Sequence, residues 1–319
     1  MPTILLTGCA GFIGSHTAER LLKEGYTVVG LDNFSRFYDR SVKESNLAHF
    51  ADHANFRFVE QDIRDLDGLL KSIPESIDRV IHLAAKAGVR PSIQDPGAYI
   101  DTNLHGTRNI LELMRQRGAR KMVFASSSSV YGNQKSIPFL EDELEDKPIS
   151  PYAFTKRAAE LMNYTYHHLY GIDSINARLF TVYGPRQRPD LAIHKFVKLI
   201  ANGEPIQMFG DGSTARDYTF VEDTVEGLMR CLHYLEANDQ VFEILNLGNN
   251  HPVKLTELIS GIETALGIKA NIQQKPMQEG DVDITYANID RATKLVGYQP
   301  TIQIEAGLVR FVEWYRNKS

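Results

Sequence analysis

The sequence predicts an α/β fold: a doubly wound parallel sheet followed by a smaller C-terminal substrate-binding part. Three observations carry that expectation. The chain opens with a buried strand, a glycine-rich turn and a helix; strand and helix then alternate through the first half; and after about Phe180 the texture becomes loop-rich. Repeated strand–helix alternation implies a parallel sheet covered on both faces, with ligands collecting at the carboxyl ends of its strands.

The opening stretch, Thr3-Ile4-Leu5-Leu6-Thr7-Gly8-Cys9-Ala10-Gly11-Phe12-Ile13-Gly14, organises the rest. Ile4 to Leu6 is an apolar run suited to a strand buried on both faces. Apolar pairs recur at helical spacing at Phe12/Ile13, Thr17/Ala18 and Leu21/Leu22, until Gly25 ends the helix. Glycines at 8, 11 and 14 let backbone N–H groups approach a pyrophosphate and aim a helix N-terminus at its charge. Three glycines alone are a weak signal, also met in purely structural turns. Here a second strand, Tyr26 to Leu31, ends in Asp32, 18 residues past Gly14, where an acid binds adenosine ribose hydroxyls. The expected ligand is therefore a dinucleotide. Asp32 favours NAD over NADP, because a carboxylate repels a 2′-phosphate; Arg36 reads as an ordinary surface charge.

Further strands are predicted at Phe56–Val59, which leads into Gln61-Asp62-Ile63, and at Arg79–Leu83, which ends in the small residues Ala84 and Ala85. Asp62 is placed to reach an adenine amino group, and the alanines let a cofactor lie close. Gly97 to Arg117 reads as one long helix, Lys121 to Ala125 as a strand, Tyr152 to Tyr170 as a helix and Ser174 to Phe180 as a strand. Three loops then follow, at 183–190, 202–214 and 247–253, among helices at Leu191–Ala201, Val221–Tyr234, Lys254–Leu266 and Ile304–Tyr315. This half looks too loop-rich to extend the sheet regularly. The expected boundaries are 1–180 for the cofactor domain and 181–319 for the cap, with the helix near 221–237 packing back on the first. Substrate belongs in the cleft between them.

Composition narrows the class. With 319 residues, 43% apolar and 24% charged, the chain has the make-up of a globular protein able to bury a core. A net charge of −5 gives no reason to expect nucleic acid or an acidic membrane surface. Two cysteines, Cys9 and Cys231, make no disulfide framework, and no apolar run has the length of a membrane span. A cytoplasmic location is the expectation. No metal site is expected either: His49 and His53 have no acidic or cysteine partner in register, and His167 and His168 are adjacent.

The strongest chemical signal is Tyr152-Ala153-Phe154-Thr155-Lys156, following the serine run Ser126–Ser129. Positions i and i+4 share a helix face, so Tyr152 and Lys156 project together. A free phenol has a pKa of about 10. A nearby ammonium, with the charge of a bound nicotinamide, favours the phenolate as a base at neutral pH. A chance Tyr-x-x-x-Lys carries little weight alone; after a dinucleotide turn and a strand-end serine cluster it points to catalysis.

At these residues the chain resembles the extended short-chain dehydrogenase/reductase family, and in it the NAD-dependent nucleotide-sugar epimerases, which have a Rossmann-type sheet. The likeness runs essentially end to end: the glycine turn, His82-Leu83-Ala84-Ala85, Ser126-Ser127-Ser128-Ser129-Val130-Tyr131-Gly132, the Tyr152/Lys156 pair, Arg178 to Pro185, and Phe209-Gly210-Asp211-Gly212 with Arg216-Asp217. The resemblance implies Ser127, Tyr152 and Lys156 as catalytic residues. It implies NAD contacts from Gly8, Gly11, Phe12, Ile13, Gly14, Asp32, Asn33, Asp62, Ile63, Leu83, Ala84, Ala85, Lys86 and Asn103, with Tyr152 and Lys156 again. For a UDP-sugar it implies Val89, Arg90, Ser127, Ser128, Ser129, Tyr152, Thr181, Arg188, Lys195, Gln207, Phe209, Arg216 and Asp281, with Arg216 pairing with the diphosphate. Many relatives carry a further diphosphate-binding Arg in the last loop, where this chain has Gln278.

Several segments look most like UDP-glucuronate 4-epimerases: Asp32-Asn33-Phe34 with Tyr38-Asp39 and Lys43-Glu44, Ala87 to Ser92, and Phe180 to Asp190. Oxidising C4 of a glucuronate creates a ketone β to the carboxylate, which readily loses carbon dioxide. An enzyme that only epimerises must grip that carboxylate. Ser128, Ser129, Thr181 and the fork of Arg188 are the expected donors, although Arg186 and Arg188 also read as a solvated loop pair. Relatives that dehydrate or decarboxylate place acids just after the catalytic hydroxyl, and the strip Ser127-Ser128-Ser129-Val130 has none. The alternative is a UDP-glucose or UDP-N-acetylglucosamine 4-epimerase, where Asn typically stands in place of Thr181. A non-catalytic NAD-sensing module is disfavoured by the intact Tyr/Lys pair. Relatives dimerise through helices corresponding to Gly97–Arg117 and Tyr152–Tyr170, so a homodimer is expected, although these apolar stripes could equally face the sheet.

Overall fold

In the computed structural model, which describes residues 2–276 and 282–318, the sheet forms as an alternation of apolar side chains. Along β1 (Thr3–Thr7), Ile4 and Leu6 enter one core while Leu5 enters the other, and all three are fully buried. A strand buried on both faces needs this unbroken apolar run. The same division repeats at Val80 against Ile81 and at Met122 and Phe124 against Val123 and Ala125.

The remaining strands are β2 (Thr27–Asp32), β3 (Phe56–Glu60), β4 (Arg79–His82), β5 (Lys121–Ser127), β6 (Asp173–Leu179), β7 (Thr181–Tyr183), β8 (Ile206–Phe209), β9 (Ala215–Phe220), β10 (Phe242–Leu247), β11 (Pro252–Lys254) and β12 (Ile272–Lys275). The main sheet runs β10-β6-β5-β4-β1-β2-β3 and is parallel throughout. Chain order reverses between β1 and β4, the switch point at which such sheets bind ligands. The Phe12–Lys23 and Val221–Ala237 helices pack together on one face. On the other face lie the Leu66–Ser72, Gly106–Arg117 and Pro151–Tyr170 helices.

Two sequence expectations are corrected. The seventh strand, β10, comes from the half thought too irregular to extend the sheet, pairing with β6 from Phe242↔Ser174 to Leu247↔Leu179. And Gly97–Arg117 is not one α-helix: a turn at Pro96–Tyr99 passes into a π-helical segment, Ile100–His105, before Gly106–Arg117 resumes α geometry. The wider turn carries Asn103, whose amide exchanges hydrogen bonds with the backbone of Lys86 at 2.8 and 3.0 Å.

Beyond the main sheet, β7 and β9 pair in parallel with β11 antiparallel to β9, and β8 pairs with β12. These small sheets and the Ala192–Ala201 helix form a second wall facing the carboxyl ends of the main strands.

Candidate active site

A cavity of about 810 Å³ opens at the carboxyl ends of β1, β2, β4 and β5. Its floor is the glycine turn. Gly8 has φ +74°, which favours glycine, and its N–H bonds the carbonyl of Leu31 at 2.7 Å. A Cβ on Gly14 would run into the carbonyl of Gly8, so the helix can start this close to the turn only with glycine there. With Phe12 and Ile13, these glycines leave a backbone cradle at a helix N-terminus, the shape and polarity a pyrophosphate requires.

At one end of the cavity stands Asp32, nearly fully buried. Its Oδ1 accepts from the Phe34 N–H at 2.8 Å and from Lys43 Nζ at 2.9 Å. Asn33 donates to Asp62 at 2.8 Å, and Arg64 forks onto the same carboxylate. Burial alone would raise the Asp62 carboxyl, but Arg64 and Asn33 outweigh it and hold it at about 2. Ile63, Leu83, Ala84, Ala85 and Lys86 complete the wall.

Ser127, Tyr152 and Lys156 meet at the other end. Ser127 closes β5, and Ser150 caps the helix that carries Tyr152 and Lys156, accepting the Ala153 N–H at 3.1 Å. Lys156 is buried, donates to the Ala125 carbonyl at 2.7 Å and faces the Phe124 ring at 4.9 Å. Burial pushes its pKa down to about 8, against the opposing pull of Glu160. The phenol of Tyr152 is pushed up by burial, more than the hydrogen-bonded Ser127 hydroxyl and the charge of Arg188 lower it. In the protein alone burial therefore opposes the phenolate, which the sequence reading expected with the charge of a bound nicotinamide beside it.

Thr181 and Arg188 line the same cavity, near Tyr152. Thr181 also borders a second cavity of about 550 Å³, where Arg90, Lys195, Gln207, Phe209 and Arg216 converge. Arg90 lies over the Phe209 ring at 5.9 Å, and Arg216 donates to the Ala215 carbonyl at 2.9 Å. Three cations around an aromatic floor, continuous with the first cavity through Thr181 and Leu191, suit a diphosphate joined to a flat base.

Some expected residues stand elsewhere. Asn103 is buried behind the wall and braces Lys86 and Thr155, so it acts on the site through the backbone. Ser128 and Ser129 lie in the tight Ser128–Tyr131 turn just past Ser127, and Val89 starts the short Val89–Gln94 helix beside Arg90. Asp281 and Gln278 lie outside the described residues. Arg36, read as an ordinary surface charge, lines the large cavity. Lys43, Phe37 and Tyr38 also line it without having been expected there as contacts, although the resemblance had singled out the segments that carry Tyr38 and Lys43. Among the described residues no group of side chains is arranged to hold a metal ion, and no helix is long and apolar enough to cross a membrane.

The family described as GDP-mannose 4,6 dehydratase matches residues 5–311. A UDP-glucuronate 4-epimerase of Thermodesulfobacterium geofontis is 46% identical over 97% of this chain and 95% of its own. Among solved structures, UDP-glucuronic acid 4-epimerase from Bacillus cereus, in complex with UDP-glucuronic acid and NAD, superposes with a TM-score of 0.92 at 36% identity, covering 99% of this chain and all of that one. The UDP-glucose 4-epimerase of Thermotoga maritima with UDP-glucose reaches 0.88 at 32% identity, covering 99% of each chain. Cradle, Tyr/Lys pair and end-to-end similarity agree: the chain belongs to the GDP-mannose 4,6 dehydratase family of extended short-chain dehydrogenases/reductases, and is similar throughout to its UDP-glucuronate 4-epimerases.

Proposed function

We propose that this protein is an NAD-dependent 4-epimerase that interconverts UDP-glucuronate and UDP-galacturonate. The observation that carries the choice of sugar is Arg188, a largely buried guanidinium that lines the cavity within electrostatic reach of Tyr152 and holds a more exposed carboxylate, Asp190, in a fork that a uronate can take and a hexose cannot. The glycine cradle and Asp32 fit NAD, and the chain is similar to an enzyme solved with NAD and UDP-glucuronic acid.

NAD held by the glycine cradle and Asp32 would supply the hydride acceptor and donor for C4, so that a 4-keto sugar could be reduced again on its opposite face. Tyr152 takes the C4 hydroxyl proton and gives it back. Ser127, whose hydroxyl lowers that phenol and bonds Ser129 at 3.1 Å in the protein alone, holds the same oxygen in line. Lys156 is poised beside both, fixed by Ala125. Thr181 and Arg188 grip the carboxylate; Arg90, Lys195, Gln207, Phe209 and Arg216 seat the UDP. Although the matching family carries a dehydratase's name, the strip Ser127–Val130 contains no acid to remove water from C5 and C6.

A homodimer and a cytoplasmic site of action complete the reading. The Pro151–Tyr170 helix leaves Phe154, Leu161, Tyr164 and Leu169 exposed on one broad face that a second copy would cover; sedimentation tests it. The activity is tested by NMR of the products after separate incubation with UDP-glucuronate, UDP-glucose and UDP-N-acetylglucosamine. Turnover of either neutral sugar faster than the uronate overturns the substrate assignment.

A further inference from the structure

Arg188 already holds a carboxylate. Its Nε and Nη2 donate to the two oxygens of Asp190 at 3.0 and 2.7 Å, a bidentate pair across Pro189. The two partners are unequal: the Arg188 side chain is 15% exposed and Asp190 46%. Arg188 faces the large cavity, while Asp190 lines the second one, so the pair sits where the two meet.

The position of Arg188 does not depend on Asp190. Its guanidinium lies 4.7 Å over the Phe37 ring. Its loop is pinned just before it, where Arg186 forks onto Glu19 at 2.9 and 3.0 Å, His16 bonds the Pro185 carbonyl at 2.9 Å and His194 Nδ1 bonds the Gln187 carbonyl at 2.6 Å, and just after it, where the Leu191 N–H donates to the Arg188 carbonyl at 3.2 Å. Removing Asp190 therefore leaves the cation where it is, with its fork open.

We propose that Asp190 is a specificity-determining residue, an internal carboxylate that occupies the Arg188 fork until the uronate carboxylate of the substrate displaces it into solvent. The proposal rests on the reading that Arg188 binds that carboxylate. It has two opposite consequences. A uronate must break the Arg188–Asp190 pair, which weakens its binding. A neutral sugar leaves the pair intact and so avoids burying an uncompensated cation. Asp190 thus narrows the preference for uronates over hexoses, and specificity here is a difference between two affinities.

The test compares Asp190→Asn and Asp190→Ser with the parent enzyme, measuring kcat and KM separately for UDP-glucuronate and UDP-glucose, with Arg188→Ala in parallel. Both Asp190 variants are expected to lower KM for UDP-glucuronate roughly fivefold, with kcat little changed, and to lower kcat/KM for UDP-glucose. A higher KM for UDP-glucuronate in either variant overturns the proposal, because Asp190 would then be orienting Arg188. An unchanged ratio between the sugars overturns it too. The underlying reading fails separately, if Arg188→Ala harms both sugars equally.

Discussion

The Thr7 hydroxyl points its proton at Nδ1 of His82, 2.6 Å away. The direction follows from the far side of the ring, where the Thr107 hydroxyl donates its proton to the Asn103 carbonyl and can only accept from the imidazole; Thr7 Oγ1 also accepts the Ala84 N–H at 3.1 Å. His82 therefore carries its proton on Nε2 and gives it to Thr107 Oγ1 at 3.1 Å, while the Thr107 hydroxyl donates to the Asn103 carbonyl at 2.6 Å. Asn103 in turn donates to Thr155, whose hydroxyl donates to the Tyr152 carbonyl at 2.8 Å. A single line of neutral hydrogen bonds joins the glycine turn to the start of the catalytic helix.

That line makes stability depend on pH. Burial, with the charge of Lys156 adding to it, pushes His82 down to about 3. An unfolded imidazole titrates near 6.5, so between about 6.5 and 3 the unfolded chain binds more protons and stability falls as pH falls. His82→Gln removes that slope. Asp217 has the opposite sign, raised by burial to about 6, but it is common to both proteins and cancels in the comparison. Between pH 7 and 5 the parent is expected to lose about 2 kcal/mol more than the variant, measured by urea unfolding. Equal losses would show that His82 titrates normally.

Arg178 and Glu160 form a second buried support. Arg178 reaches both oxygens of Glu160 at 2.9 Å, and Ser126, next to Ser127, donates to the same carboxylate at 2.5 Å. Both ionic side chains are almost wholly inaccessible. Breaking such a pair from one side leaves the buried Arg178 charge with only neutral partners, the Tyr131 hydroxyl and the Glu141 carbonyl, so Glu160→Gln is expected to cost about 3 kcal/mol in denaturant unfolding. A loss under about 1 kcal/mol would place water at the pair.

Tyr152→Phe keeps the ring and removes the proposed base; Lys156→Ala removes the charge proposed to act beside it. Each is expected to lower turnover roughly 10²- to 10⁴-fold. Burial raises the Tyr152 phenol, against the lowering effect of Ser127 and Arg188. Near-normal turnover in Tyr152→Phe would move the base elsewhere.

Much of this site was legible from local chemistry. The glycine turn, Asp32 and the Tyr152/Lys156 spacing each impose a residue type at a fixed offset, which a sequence displays directly. What was not legible depended on tertiary partners. Lys43 meets Asp32 only because the Arg40–Leu47 helix folds back on the end of β2, and Lys156 donates to the Ala125 carbonyl because β5 lies beneath it. The strand β10 was obscured by the loops around it, although Ile244 and the buried Leu245 and Leu247 give it an apolar stretch. Asn103 shows the limit most plainly: its part in the site comes from a π-helical turn, and no periodicity announces one.

The last expectation concerns carbon dioxide. Once C4 is a ketone, the C5 carboxylate is β to it, and its C–C bond breaks easily when it stands perpendicular to the carbonyl plane. The electron pair then passes to C5 and C4–O as an enolate, which takes a proton to give a UDP-4-keto-pentose. Arg188 lies over Phe37 and stays near Tyr152, so a carboxylate held by it and by Thr181 keeps a fixed torsion while the ketone exists. Arg188→Ala frees that torsion. It is expected to lower kcat/KM for UDP-glucuronate roughly 10- to 100-fold, the loss of charge-assisted hydrogen bonds, and to change UDP-glucose turnover far less. It is also expected to release carbon dioxide at a rate measurable against turnover, while the parent releases none. Following both sugars by NMR and dissolved carbon dioxide in parallel decides the matter. A variant that loses uronate turnover without decarboxylating would leave Arg188 as a binding group alone, with the torsion held by Thr181 and the serines of the β5 turn.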